Sequence, residues 1–249
     1  MKTKNTIFLF FSLLAIIILL GCSSEKQPLK VLNEPTQKII SELKGQDFSI
    51  VLNDMDVTED EKNIIYRHKY VILKPKQERL DVDSTDWQNV SEEFFMKHEN
   101  DLGMEIVSNH DGKFSAIAKP VGFDWAVGNK KYGDWQIDST STNHQKRHWV
   151  YRNSSSFFLM YWMFSRPTPM RVYNNYANSA RGRTPYYGMG NNIYGTKSQY
   201  NKVKRSNFYK RRATSSTWGK TYSKRKVTRS SSRFGGSSRT RGRSGGFGK

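Results

Sequence analysis

The residue types able to do chemistry are few and unevenly placed. The single cysteine, Cys22, cannot close an internal disulfide or seed a Cys-clustered zinc or iron–sulfur site. His144 and His148 stand four apart, which on a helix would put two imidazoles on one face, able to hold a metal. Their context, STNHQKRHW, carries no helix signal and no acid follows Asp138, so surface histidines are the stronger reading. No Gly-rich phosphate loop and no Gly-x-Ser-x-Gly elbow occurs. What abounds is cationic: 41 Lys+Arg stand against 22 Asp+Glu, a formal net charge of +19.

The charge is segregated. Residues 1–138 hold 17 basic and all 22 acidic side chains, whereas residues 139–249 hold 24 basic and none acidic. A cationic chain interleaved with Tyr, Trp and Gly can neutralise phosphates and stack on planar groups. The candidate polyanion-binding residues are Lys202, Lys204, Arg205, Lys210, Arg211 and Arg212, then Lys224, Arg225, Lys226, Arg239, Arg241 and Arg243. A solubilising tail is the bland alternative.

The N-terminus supplies an address. Lys2 and Lys4 precede an apolar run, Ile7 to Leu20, which is short for a membrane span and has the length of a signal-peptide core. It ends in Leu19-Leu20-Gly21-Cys22, after which the chain turns polar (CSSEKQ). This resembles the lipobox of bacterial lipoproteins. The resemblance implies cleavage before Cys22, lipidation of its thiol and anchoring in the cell envelope. Ser23, where an Asp would signal retention, is similar to lipoproteins sorted to the outer membrane of diderm bacteria. Several acyl chains, at about 0.8 kcal/mol per buried CH₂, make such an anchor stable. Export disfavours a cytoplasmic RNA partner. It points instead to anionic lipid, acidic glycan, lipopolysaccharide phosphates or an acidic protein, and to nucleic acid only where that is released outside the cell.

Asp54-Met55-Asp56-Val57-Thr58 follows an apolar strand and resembles the nucleophile motif of haloacid-dehalogenase-type phosphotransferases. That resemblance implies one Asp attacking phosphorus and the other serving as acid or base, both beside Mg²⁺. Asn53 intrudes, the usual Gly is missing and no later paired-acid motif follows, so an acidic loop is the stronger reading. A metal-dependent envelope phosphohydrolase using Asp54 and Asp56 is the alternative function.

The elements that must position these groups follow from pattern. Pro35, Ile39, Ile40 and Leu43, stopped by Gly45, predict a helix over 35–44. Residues 48–52 and 66–73 read as strands, with a turn-like acidic stretch from Asp54 to Lys62 between them. Ser91 is an N-cap signal ahead of Glu92 and Glu93, with Phe94, Phe95 and Leu102 apolar and Gly103 as the stop. Asp111-Gly112, between residues 104–107 and 114–118, is the strongest hairpin signal. Short strands or turns are expected near 125–127, 132–135 and 148–151. The apolar run 156–164 reads as a buried terminal strand or helix, with a membrane-dipping segment as the other option.

Beyond Tyr173 leucine is absent and Arg, Lys, Ser, Gly, Asn and Tyr dominate, predicting a chain unable to offset its ordering entropy. The run Gly128-Asn129-Lys130-Lys131-Tyr132-Gly133-Asp134-Trp135, the aromatics 149–164, Pro185-Tyr186-Tyr187-Gly188 and the terminal Ser-Gly-Gly-Phe-Gly-Lys resemble an uncharacterised family of bacterial membrane-associated proteins with a Gly-Asn-x-x-Tyr-Gly-x-Trp core and a Ser/Arg-rich tail. No activity comes with that resemblance. The expectation is therefore a signal peptide (1–21), a tether (22–33), a small α+β domain (34–173) of short helices and antiparallel strands, and a long disordered basic tail (174–249). Its function would be non-enzymatic, with no cofactor.

Overall fold

The computed structural model describes residues 26–76, 79–137, 146–152, 168–179 and 184–219. Its spine is a pair of long strands, β2 (Phe48–Glu59) and β3 (Asn63–Pro75), antiparallel along nearly their whole length. Asp60 closes the hairpin between them, its Oδ1 accepting the backbone N–H groups of Lys62 (2.8 Å) and Asn63 (2.6 Å). These bonds favour the carboxylate and hold Asp60 below the usual carboxylate range. The acidic stretch expected as a loop is thus strand almost throughout. Met55 and Val57, two apart, share one face of the strand and Thr58 is β-branched, which suits a pleated surface, and the local acids do not break it.

Three short strands line the outer edge of β3 in succession: β1 (Gln27–Pro28), parallel to it, then β5 (Gln88–Val90) and β4 (Leu80–Ser84), both antiparallel. On the other side β2 pairs with β6 (Glu105–His110), and β6 with β7 (Lys113–Ser115). Asp111 (φ 50°) and Gly112 (φ 73°) form the tight turn that the Asp-Gly signal predicts. Helix α1 (Pro35–Glu42) begins with Pro as expected, and α2 (Glu92–Lys97) is capped by Ser91, whose Oγ accepts the Phe94 N–H at 3.1 Å. A separate sheet of β8 (Gly133–Ile137), β9 (Arg147–Tyr151) and β10 (Thr168–Pro169) leads into α3 (Met170–Ser179). Helices α4 (Gln199–Lys204) and α5 (Ser206–Thr214) complete the described chain.

The Gly-Asn-x-x-Tyr-Gly-x-Trp run is an architectural device. Gly128 (φ +83°) and Asn129 turn the chain, with Asn129 Oδ1 accepting the Lys131 N–H at 3.0 Å. At Gly133, β8 lies so close to β9 that a Cβ would sit 2.3 Å from the Val150 carbonyl oxygen. Trp135 then meets Trp149 edge-on, ring centroids 5.2 Å apart.

A bulge at Asn53 sets the two faces of β2. Before it, Phe48, Ile50 and Leu52 point into the larger core; after it, Met55 and Val57 do. Asp54 and Asp56 are thereby turned away from that core. Val51, Val71, Leu73, Leu80, Val121, Trp125, Ala126 and Tyr132 form a second cluster.

The α+β fold class is as expected, but the folded unit does not stop at 173. Tyr186, Tyr194, Phe208 and Trp218 all join the larger core, Phe208 and Trp218 each at 1 % exposure, with Trp218 edge-on to Phe95 at 5.3 Å. The expectation of disorder from 174 onward is corrected for residues 174–179 and 184–219. The apolar surface of this segment lies in widely spaced aromatic rings rather than in leucine. The tether expectation changes too, because Gln27–Pro28 is stitched to β3 and Leu29 donates its N–H to the Ile64 carbonyl at 2.8 Å. Cys22, the 156–164 run, His144 and residues 220–249 lie outside the described residues. Among the described residues no helix is long and apolar enough to cross a membrane.

Candidate functional site

Two cations of the basic cluster, Arg205 and Arg211, dock α4 and α5 against the sheet. Docking starts at the Asn53 bulge, whose carbonyl accepts from Arg205 Nε at 3.1 Å. Arg205 also donates through Nη1 to Asn201 Oδ1 at 2.5 Å, and Asn201 Nδ2 donates to the carbonyls of Leu102 (2.6 Å) and Gly195 (2.9 Å). This approach demands Gly103, where a Cβ would lie 2.8 Å from Asn201 Oδ1 and φ is +74°. Burial pulls the Arg205 pKa down, with Tyr200, Asp54 and Tyr209 opposing.

Arg211 completes the clamp. Its Nη2 donates to Asp54 Oδ1 at 2.6 Å and its Nε lies 3.7 Å from Asp56 Oδ1. Arg67 Nη2 donates to the other Asp56 oxygen at 2.7 Å. Both guanidinium groups sit against the Trp87 ring, 5.3 Å (Arg67) and 5.5 Å (Arg211) from its centroid. Two carboxylates, two arginines and an indole thus form one layer between β2, β3 and α5.

This arrangement removes the footing of the phosphohydrolase alternative. That chemistry needs two carboxylates converging on an open concave site. Here both acids lie within a strand and face arginines. Among the described residues no group of three or more His, Cys, Asp and Glu side chains is placed to hold a metal. His148 lies in β9 opposite Gln136, so no helical His144/His148 face is built there.

Of the candidate polyanion-binding residues, then, Arg205 and Arg211 serve the fold. Arg212, half-buried on α5, lies over Trp218 at 5.6 Å. Lys202, Lys204 and Lys210 are exposed. Lys202 and Arg212, together with Lys197 and Tyr209, line a groove of about 850 Å³ closed on one side by Glu99 and Asn100. Lys224, Arg225, Lys226, Arg239, Arg241 and Arg243 lie outside the described residues.

Sequence reasoning missed Lys197, Tyr209, Arg67 and Trp87. The first two flank a helix that composition hid. The last two lie in the acidic half, where nothing in the local pattern marks them as partners of a distant helix. Comparison of this chain with family models, with curated proteins and with solved structures finds no match.

Proposed function

We propose that this chain is a lipid-anchored protein of the bacterial cell envelope, at the outer membrane of a diderm cell, that binds anionic polymers or headgroups through its basic C-terminal region without catalysing a reaction. The observation carrying this reading is the convergence of Lys197, Lys202 and Arg212 on one groove while Lys204 and Lys210 stand exposed on the same helix pair. No acid follows Asp138 in the sequence to neutralise them, and Glu99 is the single carboxylate in the groove wall. Near an anionic surface each such cation contributes on the order of 1 kcal/mol. Cys22 supplies the anchor that keeps the groove close to phosphate-bearing lipids and glycans.

The test is a salt titration of the full-length chain, in detergent, against inorganic polyphosphate and against phosphatidylglycerol vesicles. Affinity should fall steeply between ~50 and 200 mM salt. The triple variant Lys197→Ala/Lys202→Ala/Arg212→Ala should flatten the log–log slope by about 2 to 3. An unchanged slope refutes the groove. Deleting 220–249 separately apportions the remaining affinity to the terminal tract.

A further inference from the structure

A second groove, sharing no lining residue with the basic one, runs between helix α1 and strand β5. It encloses about 930 Å³, and Gln37, Ile72, Thr85, Trp87, Gln88 and Asn89 form part of its wall. That volume falls in the range of ligand clefts. Among its described lining residues Trp87, half-buried at the start of β5, is the single aromatic ring.

The ring is held from behind. The Arg67 and Arg211 guanidinium groups lie 5.3 and 5.5 Å from its centroid. Both also reach Asp56, with Arg67 Nη2 at 2.7 Å from Oδ2 and Arg211 Nε at 3.7 Å from Oδ1. Two cations that share one carboxylate stand on one side of the indole, which leaves the other face to the groove. They also fix the ring in place, and a fixed aromatic surface loses little entropy when a guest lies on it. The Trp87 indole N–H has no hydrogen-bond partner among the described residues and is not buried, so it remains available as a donor.

The charged groups of the wall are already engaged. The Glu34 carboxylate accepts from the Ser91 hydroxyl and, at 3.4 Å, from the Ser91 N–H. Lys38 Nζ lies 3.9 Å from Glu42 Oε1, one turn along α1. One lysine against two carboxylates gives neither a polyanion nor an ammonium ion a strong field. What remains is neutral and both donates and accepts. Gln37, Gln88 and Asn89 carry amides, and the only printed-length contact of Gln88 Nε2 is a long one, 3.4 Å to the Asp86 carbonyl. The Thr85 hydroxyl accepts the Tyr70 N–H at 3.0 Å and keeps its own proton to donate. A sugar ring is the complement of this wall: its hydroxyl groups each donate and accept, and its C–H faces lie on aromatic surface.

We propose that this groove binds a neutral oligosaccharide, one ring of which lies on the open face of Trp87 while its hydroxyl groups pair with the Gln37, Gln88 and Asn89 amides. The site needs no net charge in its ligand and does not depend on the lipid anchor.

The experiment uses the full-length chain labelled with 5-fluorotryptophan, in a detergent without a sugar headgroup. Trp87→Phe identifies the Trp87 resonance. Chitotriose, cellotriose and maltotriose are the probes. At least one of them, at millimolar concentration, should shift that resonance, with an affinity changing less than about twofold between ~50 and 200 mM salt. Inorganic polyphosphate should not displace the sugar, and Lys197→Ala/Lys202→Ala/Arg212→Ala should leave its binding unchanged. Gln37→Ala and Asn89→Ala alter exposed side chains, and each should weaken binding several-fold with the unfolding midpoint unchanged. No shift with any of the three trisaccharides, a steep fall of affinity with salt, displacement by polyphosphate, or binding unaffected by both amide variants would each overturn the proposal.

Discussion

Arg211 Nη2 lies 2.6 Å from Asp54 Oδ1, a contact across 157 residues that joins the cationic end of the chain to its acidic half. The Arg211 side chain is about one-third exposed and the Asp54 side chain about one-quarter. Such a pair is screened less than a surface pair but more than a buried one. Arg211→Ala should cost about 1–2 kcal/mol, read as a lower urea midpoint. A double-mutant cycle with Asp54→Asn should return about 1 kcal/mol of coupling; additive losses would show that the contact contributes nothing.

The position of the C-terminal domain boundary gives a sharper test. A chain ending at 173 discards Tyr186, Tyr194, Phe208 and Trp218 from the larger core. It should lose cooperative unfolding, while a chain ending at 219 keeps it. Phe208→Ala alone should destabilise by about 3–5 kcal/mol. If the 173 truncation unfolds with the wild-type midpoint, the described packing of the last helices is wrong.

Two buried histidines set a pH dependence. His68, fully buried, is held well below its ordinary pKa by desolvation and by His98, and His110 is lowered to about 3. A depressed histidine favours folding above the unfolded value, near 6.5, and that contribution drains as pH falls through 6.5 toward the folded pKa. Each therefore adds a slope of at most about 1.4 kcal/mol per pH unit below that point. Unfolding free energies at pH 7 and pH 5 should differ markedly in the wild type. His110→Gln should shrink the difference by about one proton; an unchanged difference contradicts a neutral His110.

With the lipid anchor proposed at Cys22, the stitched N-terminus would orient the domain. Lys26 meets Glu59 and Gln27 joins β3, so only residues 23–25 separate the sheet edge from Cys22, a reach of about 14 Å. The β2–β3 hairpin end should then face the bilayer. The β6–β7 turn, paired near Phe48 at the other end of the 12-residue β2, should stand on the order of 35 Å away. In liposomes, a fluorophore at Glu61→Cys should be quenched by headgroup-labelled lipid and one at Lys113→Cys should not. Inserting a 20-residue Gly/Ser linker after Ser24 should erase the contrast. Fatty-acid labelling of the wild type against Cys22→Ser tests the anchor itself, and equal labelling would rule it out.

Local signals in the chain are strong where one short stretch both makes and satisfies a structure. Ser91 caps α2 because its own hydroxyl reaches the Phe94 N–H, and Asp111-Gly112 turns because those two residues accept positive φ. Helix α1, the β6–β7 hairpin and the α+β class were legible for this reason, as was the segregation of charge, a matter of counting. The folded state of 184–219 was not. Its helices are short and mostly polar, and they form against apolar surface and carboxylates supplied by β2 and α2, which no window along the sequence contains. The same holds for the sites. The cationic residues are plain in the sequence, but which of them dock the last helices depends on the Asn53 bulge, which exposes a carbonyl to Arg205 and turns Asp54 and Asp56 toward Arg211. The buried hydrogen bond between Ser49 and Glu105 likewise joins residues 56 apart in the chain. Hydrogen-bond direction and charge neutralisation are properties of neighbours in space, and folding alone chooses those neighbours.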